Sequence, residues 1–89
     1  MAGTLREAVE EALQRYNAFR APEAVAELVE LSGEEAIVRF TGSFCRTCGV
    51  YDYFEDLLGY IPGEILGFEA VPEGFHVRFR FHPKGTAGA

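Results

Sequence analysis

The sequence predicts a small α+β domain in which two helices pack on one face of a mixed or antiparallel sheet of three to four strands. Two segments place apolar residues at helical spacing, and one segment alternates apolar and polar residues without a break. Other β-like runs are bounded by glycine-containing turns. Together these segments give the predicted element order α-β-β-α-β-β.

The first helix is predicted from Thr4 to Phe19. Thr4 and Glu7 have the spacing of a capping box, which satisfies two backbone N–H groups at a helix start. Pro22 disfavours helical geometry at Ala21, so the helix should end before that residue. The apolar side of this helix is formed by Leu5, Ala8, Val9, Ala12, Leu13 and Tyr16.

A β-hairpin is predicted next. Ala24 to Leu31 has residue types that also suit a helix, but the segment is short and the turn-like sequence Ser32-Gly33-Glu34-Glu35 follows it. Ala36 to Phe40 is clearly strand-like. We therefore interpret Ala24 to Leu31 as the first strand and Ala36 to Phe40 as the second.

The second helix is predicted from Tyr51 to Tyr60 and should end at Gly59 or at Pro62-Gly63. Its apolar residues follow i, i+3, i+4 and i+7 spacing, and they are Phe54, Leu57, Leu58 and Ile61. The opposite side carries acidic residues near the helix N-terminus, and they are Asp52, Glu55 and Asp56. We interpret this side as a solvated helix face or as a docking site for a basic partner. We expect Tyr51, Tyr53 and Tyr60 to belong to the core rather than to an interface.

Two strands complete the predicted sheet, from Glu64 to Val71 and from Phe75 to Phe81. In the last strand the apolar residues should face the helices, and they are Phe75, Val77, Phe79 and Phe81. The alternate residues form a basic stripe, and they are His76, Arg78, Arg80 and His82. This stripe is either an ordinary solvent face or a surface that binds anions or an acidic partner. A single domain is predicted over residues 1–83, with a mobile tail from Lys84 to Ala89.

Composition excludes several functional classes. The net charge is −6 over 89 residues, which argues against nonspecific nucleic-acid binding and against an anionic membrane surface. No apolar run approaches the length of a membrane span. The start Met1-Ala2-Gly3 lacks the basic and apolar regions of a signal peptide, so we expect a cytoplasmic protein.

The only two cysteines, Cys45 and Cys48, form a C-x-x-C motif between the second predicted strand and the second predicted helix. A helix N-terminus favours the thiolate form, which binds metal and attacks disulfides. Two thiolates cannot complete a tetrahedral site, so a metal would need His76, His82 or a second chain. The two histidines are six strand residues apart, about 20 Å, and cannot join one metal.

From Leu5 to Val71 the sequence resembles the NifU C-terminal scaffold domain. The features that carry the resemblance are the hairpin, Gly42-Ser43 followed by the C-x-x-C, and the helix after it. The resemblance implies that Cys45 and Cys48 of two subunits hold an iron–sulfur cluster for transfer to apoproteins, so it implies a homodimer and iron–sulfur assembly partners. The strand from Phe75 to Phe81 is an extension beyond it.

Two other functions fit the same motif. A strand, a C-x-x-C and a helix also occur in thioredoxin-like thiol–disulfide proteins, although only forty-one residues follow Cys48. Pro62 and Pro72 also lie in turns and are poor candidates for the cis-proline of that fold. The third possibility is a non-catalytic interaction module with a structural cysteine pair.

Overall fold

A computed structural model describes residues 4–42 and 50–82 of this chain. It contains two helices and four strands, and they are α1 (Leu5–Arg20), β1 (Val25–Ser32), β2 (Glu35–Thr41), α2 (Val50–Leu57), β3 (Gly63–Val71) and β4 (Gly74–Phe81). The α+β class and the order α-β-β-α-β-β are confirmed. The ambiguous segment after Pro22 is a strand, as we predicted. The predicted tail lies outside the described residues.

The predicted capping box begins α1. The hydroxyl of Thr4 accepts a hydrogen bond from the N–H of Glu7 at 3.1 Å, and the Glu7 carboxylate accepts from the N–H of Thr4 at 3.3 Å. The helix continues to Arg20, one residue past its predicted end, and Ala21 has the extended backbone that a following proline favours. The start and end of α1 therefore follow from local sequence.

The end of α2 was predicted three residues too late, at Tyr60 instead of Leu57. The N–H groups of Leu58, Gly59 and Tyr60 donate to carbonyls three residues earlier, at 2.9 to 3.1 Å. Such bonds tighten the last turn and take it out of α-helical geometry. Ile61 follows this turn and is still buried, so the predicted apolar spacing is correct although the helix is shorter.

The four strands form one sheet in the order β1-β2-β4-β3, and every adjacent pair is antiparallel. β2 and β3 therefore run in the same direction with β4 between them, and α2 connects them across β4. This arrangement is a split β-α-β unit. The predicted last strand thus occupies a central position in the sheet.

Both helices pack on the same face of the sheet, as predicted. The ring of Phe40 on β2 contacts Tyr16 of α1 at 5.6 Å between centroids and Phe54 of α2 at 5.0 Å. Phe54 also contacts Phe68 of β3 at 5.2 Å and Phe75 of β4 at 5.5 Å. One aromatic side chain of α2 therefore packs on three strands.

The helix-facing residues of β4 are the predicted ones. Val77, Phe79 and Phe81 are fully buried, and Phe75 is partly buried against the same core. This side of the sheet, which we call the covered face, contains no buried polar or charged residue among those that the structure describes. Core formation here rests on apolar and aromatic packing.

The other side of the sheet, which we call the open face, is predominantly polar, as predicted. Strand register places a row of ionisable residues across all four strands, and they are Glu27, Arg39, His76 and Glu69. A second row contains Ser32, Glu35, Arg80 and Glu64, and between the two rows lie Glu30, Ile37, Arg78 and Gly67. Within the described ranges, neither helix is long and apolar enough to cross a membrane.

Candidate functional site

The predicted ligands Cys45 and Cys48 lie outside the described residues, within the segment 43–49. The structure describes the two elements that this segment joins. β2 ends at Thr41 and α2 begins at Val50. The C-x-x-C therefore connects the carboxyl end of β2 with the N-terminus of α2, as the sequence predicts, and we call this connection the cysteine junction.

Gly42 determines how the chain leaves β2 toward the cysteines. Its φ angle is +126°, in a region that residues with a side chain rarely adopt. A Cβ atom at this position would lie 2.2 Å from the carbonyl oxygen of Glu23. Any larger residue would displace the backbone here, so Gly42 is a requirement of the cysteine junction.

Glu23 also contacts the other side of the junction. Its carboxylate accepts a hydrogen bond from the hydroxyl of Tyr53, which lies in the first half of α2. The same short loop between α1 and β1 thus contacts the residue before the cysteine segment and a residue soon after it. Both ends of the cysteine segment are held against one part of the protein.

An ion pair joins α1 to α2 beside this loop. Arg20, the last residue of α1, donates to the carboxylate of Asp56, and its guanidinium lies 5.0 Å from the ring centroid of Tyr53. Asp56 therefore has a partner within the fold and is only partly exposed. Asp52 and Glu55 remain exposed, as the prediction of a solvated helix face requires.

Tyr16 of α1 forms a second contact with α2. Its side chain is fully buried, and its hydroxyl donates to the backbone carbonyl of Tyr53 at 3.0 Å. Burial raises the pKa of Tyr16 well above its usual value, and the nearby carboxylate of Asp56 raises that pKa further, while Arg20 opposes the shift. The hydroxyl therefore remains a neutral donor at any physiological pH.

The expectation that Tyr51 and Tyr60 belong to the core is wrong. Their exposed fractions are 42% and 40%, and Tyr53 is half-buried. Tyr51 lies one residue inside α2, and its ring is 6.0 Å from that of Phe68, which is 48% exposed. Both rings border buried Phe54, because α2 is too short to cover this edge of the sheet. An exposed aromatic pair therefore lies beside the cysteine junction.

The predicted basic stripe lies on the open face, and half of it is paired with carboxylates. Arg80 contacts Glu35 at 3.0 Å and Glu64 at 3.5 Å, and His82 approaches Glu64 at 4.0 Å. These contacts support the ordinary solvent-face interpretation for this half of the stripe. His76 and Arg78 have no such ion pair within the described residues.

A metal site is not visible in the described part of the chain. No group of three or more histidine, cysteine, aspartate or glutamate side chains is arranged there to hold an ion. The cysteines belong to the segment outside it. Sequence reasoning missed Glu23 and Arg20 as residues that position the junction, because their partners are distant in sequence, whereas the Gly42-Ser43 pair was noted.

Comparisons of this chain with protein-family models, curated proteins and solved structures found no match. The resemblance to the NifU C-terminal domain therefore stays a prediction. The sheet adds one observation that bears on it. β2 and β3 both belong to the stretch that resembles the family, yet the extension strand β4 lies between them and pairs with both.

Proposed function

We propose that this protein is an iron–sulfur cluster scaffold or carrier, in which Cys45 and Cys48 of two chains hold one cluster for transfer to apoproteins. The observation that carries the proposal is the anchoring of both ends of the cysteine junction at Glu23. The end of β2 and the first half of α2 are both held against the loop that contains Glu23, and a binding site with defined geometry requires such support on either side.

The number of cysteines supports a dimer. A typical cluster is bound by four thiolates, and one chain supplies two. Two copies must then meet at their cysteine junctions, which requires a surface that can be covered. The exposed pair of Tyr51 and Phe68 lies beside the junction and offers such a surface to a second copy or to an apoprotein client.

Thiol–disulfide exchange is the second candidate function. The observation that favours it is the split β-α-β unit, because C-x-x-C motifs beside β-α-β connections are typical of redox proteins. In this function a single chain is sufficient, and one thiol would have a lowered pKa. For either function we propose a cytoplasmic location, in agreement with the sequence.

Anaerobic purification tests the proposal directly. The protein should be isolated or reconstituted with iron and sulfide, and then examined by visible absorbance, iron and sulfide content, and size-exclusion chromatography. We expect broad visible absorbance and a dimer that contains bound iron. Cys45→Ser and Cys48→Ser should each lose the iron and keep the far-ultraviolet circular dichroism spectrum of the folded chain.

Thr47→Ser is the matched control, because it alters one of the two residues between the cysteines and keeps both thiols. This variant should bind iron as the parent protein does. A monomer without iron whose C-x-x-C is oxidised and reduced reversibly would replace the scaffold proposal with the redox one. If iron is absent and both thiols titrate near about 8.5, the cysteine pair is structural and both functions are wrong.

A further inference from the structure

Arg78 differs from the other two arginines of the open face. Arg39 contacts two carboxylates at 3.2 and 3.3 Å, and Arg80 contacts two at 3.0 and 3.5 Å. Arg78 makes no ion pair with any residue that the structure describes. The reason is its register, because its cross-strand neighbours are Ile37 and Gly67, neither of which has a charge.

A shallow hollow of about 250 Å³ opens beside Arg78 on the open face. It is lined by Ile37, Gly67, Phe68, Glu69, His76 and Arg78. Gly67 creates much of this space, because a Cβ atom there would meet no other atom within 4 Å. The register of β3 also shifts between Ile65 and Gly67. A bulge and a glycine inside a strand are both typical of places where a ligand approaches the backbone.

His76 provides a second polar group at this hollow. Its Nε2 atom is shielded from solvent and has no hydrogen-bond partner among the described residues. A shielded polar atom without a partner destabilises the folded state. Because His76 lines the hollow, a ligand bound there would be close enough to provide the missing hydrogen-bond partner.

The surrounding charges restrict which ligands fit. Glu69 lines the hollow, and Glu30 and Glu35 border Arg78 on its other side. These carboxylates and the net charge of −6 disfavour anions with more than one charge. One guanidinium matches one planar carboxylate through two parallel hydrogen bonds. Ile37 adds an apolar wall that suits a short hydrocarbon group.

We propose that the hollow beside Arg78 binds a small monocarboxylate, with the carboxylate on Arg78 and His76 and the apolar part on Ile37. Arg78, His76 and Ile37 lie on the open face of the sheet, whereas α2 packs on the covered face. The proposed contacts with the ligand therefore use none of the residues of the cysteine junction, although Phe68 at the rim of the hollow also belongs to the exposed aromatic pair.

Titration followed by ¹H–¹⁵N NMR tests the site, with isobutyrate as the probe. A ligand of about six non-hydrogen atoms is expected to bind with a Kd of roughly 1–10 mM. Saturable shifts should be confined to the amides of Ile37, Gly67, His76 and Arg78. Isobutyramide, which has the same shape without the charge, should produce no saturable shift, and inorganic phosphate should bind at least about tenfold more weakly.

Two variants and one control complete the test. Arg78→Gln removes the guanidinium, and Gly67→Val fills the hollow at a position where a side chain has room, so each should weaken isobutyrate binding at least about tenfold. Arg80→Gln removes a neighbouring arginine outside the hollow and should change the Kd by less than about twofold. The proposal is wrong if isobutyrate gives no saturable shift, if phosphate binds more tightly, or if Arg78→Gln leaves the Kd unchanged.

Discussion

The two faces of the sheet are stabilised by different physical interactions, although the same strands form both. On the covered face, three consecutive inward residues of β4 are fully buried, and aromatic rings contact one another from β2 to β3. On the open face, the outward residues of the same strand are arginines and histidines whose contacts are mostly with exposed carboxylates. Removal of apolar area from water strongly stabilises folding, whereas exposed ion pairs contribute little.

This difference separates the residues that maintain the fold, on the covered face, from the residues that are free to bind a ligand, on the open face. A charge on the open face can change without a large loss of stability, so unpaired polar groups there are available for recognition. The covered face has no such freedom, because a change of even one methylene group is felt in a close-packed core. Substitutions on the two faces should therefore differ greatly in cost.

Phe79→Ala is the largest expected effect. The side chain is fully buried, and its ring stacks on Phe81 at 5.0 Å between centroids and contacts Phe40 at 6.2 Å. Truncation removes apolar area and leaves a cavity, so the free energy of unfolding should fall by about 3–5 kcal/mol. Urea titration under reducing conditions measures the change. A loss below about 1 kcal/mol would show that this face is loosely packed.

Gly74→Ala should have the next largest effect, because β4 has no room for a side chain at this position beside β2. A Cβ atom at Gly74 would lie 1.9 Å from the carbonyl oxygen of Phe40. The central strands must separate to accept it, at an expected cost of about 1–3 kcal/mol. Gly67→Ala is the matched control, since its Cβ has open space, and it should be neutral or stabilising by roughly 0.5–1 kcal/mol. Equal losses in both variants would contradict the structure.

The covered face could be predicted from sequence because its signals are periodic. Alternation in β4 and helical spacing in α1 identify the inward residues directly. The position of β4 between β2 and β3 could not be predicted, since no local pattern reports which strands pair. The contacts of Glu23 could not be predicted from local patterns either. The same is true of Asn17, whose side-chain amide accepts from the N–H of Ala26 at 2.7 Å and donates to its carbonyl at 3.0 Å.

The candidate site was predicted only in part for a related reason. The C-x-x-C and its place between a strand and a helix follow from the order of elements. The exposure of Tyr51 could not be predicted in this way, because it depends on how much of the sheet edge a helix of eight residues can cover. The hollow beside Arg78 requires strand register, which brings Ile37 and Gly67 to its two sides.

Tyr16→Phe should give an intermediate effect, because this residue adds one polar group to the covered face. The variant loses the hydroxyl bond to the carbonyl of Tyr53, at an expected cost of about 1 kcal/mol near neutral pH. The raised pKa of Tyr16 adds a pH dependence. The folded state holds this proton more tightly than the unfolded state, so its contribution is complete below about pH 10 and is lost at higher pH.

The difference between wild type and Tyr16→Phe should therefore shrink, and then reverse, as the pH rises above about 10. Chemical denaturation at a series of alkaline pH values measures both curves. Other tyrosines and the thiols titrate in both proteins, so the difference between the curves isolates Tyr16. Parallel curves across this range would mean that the Tyr16 hydroxyl is accessible to solvent in the folded protein.

Arg80→Ala should have the smallest effect, although Arg80 follows Phe79 directly in the chain. Its side chain is 41% exposed and its partners, Glu35 and Glu64, are 45% and 54% exposed, so water and salt screen both ion pairs. We expect a loss of about 0–1 kcal/mol, part of which reflects loss of the apolar stem. The electrostatic part should shrink further at about 0.5 M salt, whereas the cost of Phe79→Ala should persist. Similar losses for the two variants would mean that a partner covers the open face in solution, because only burial can make an ion pair there as costly to break as the core.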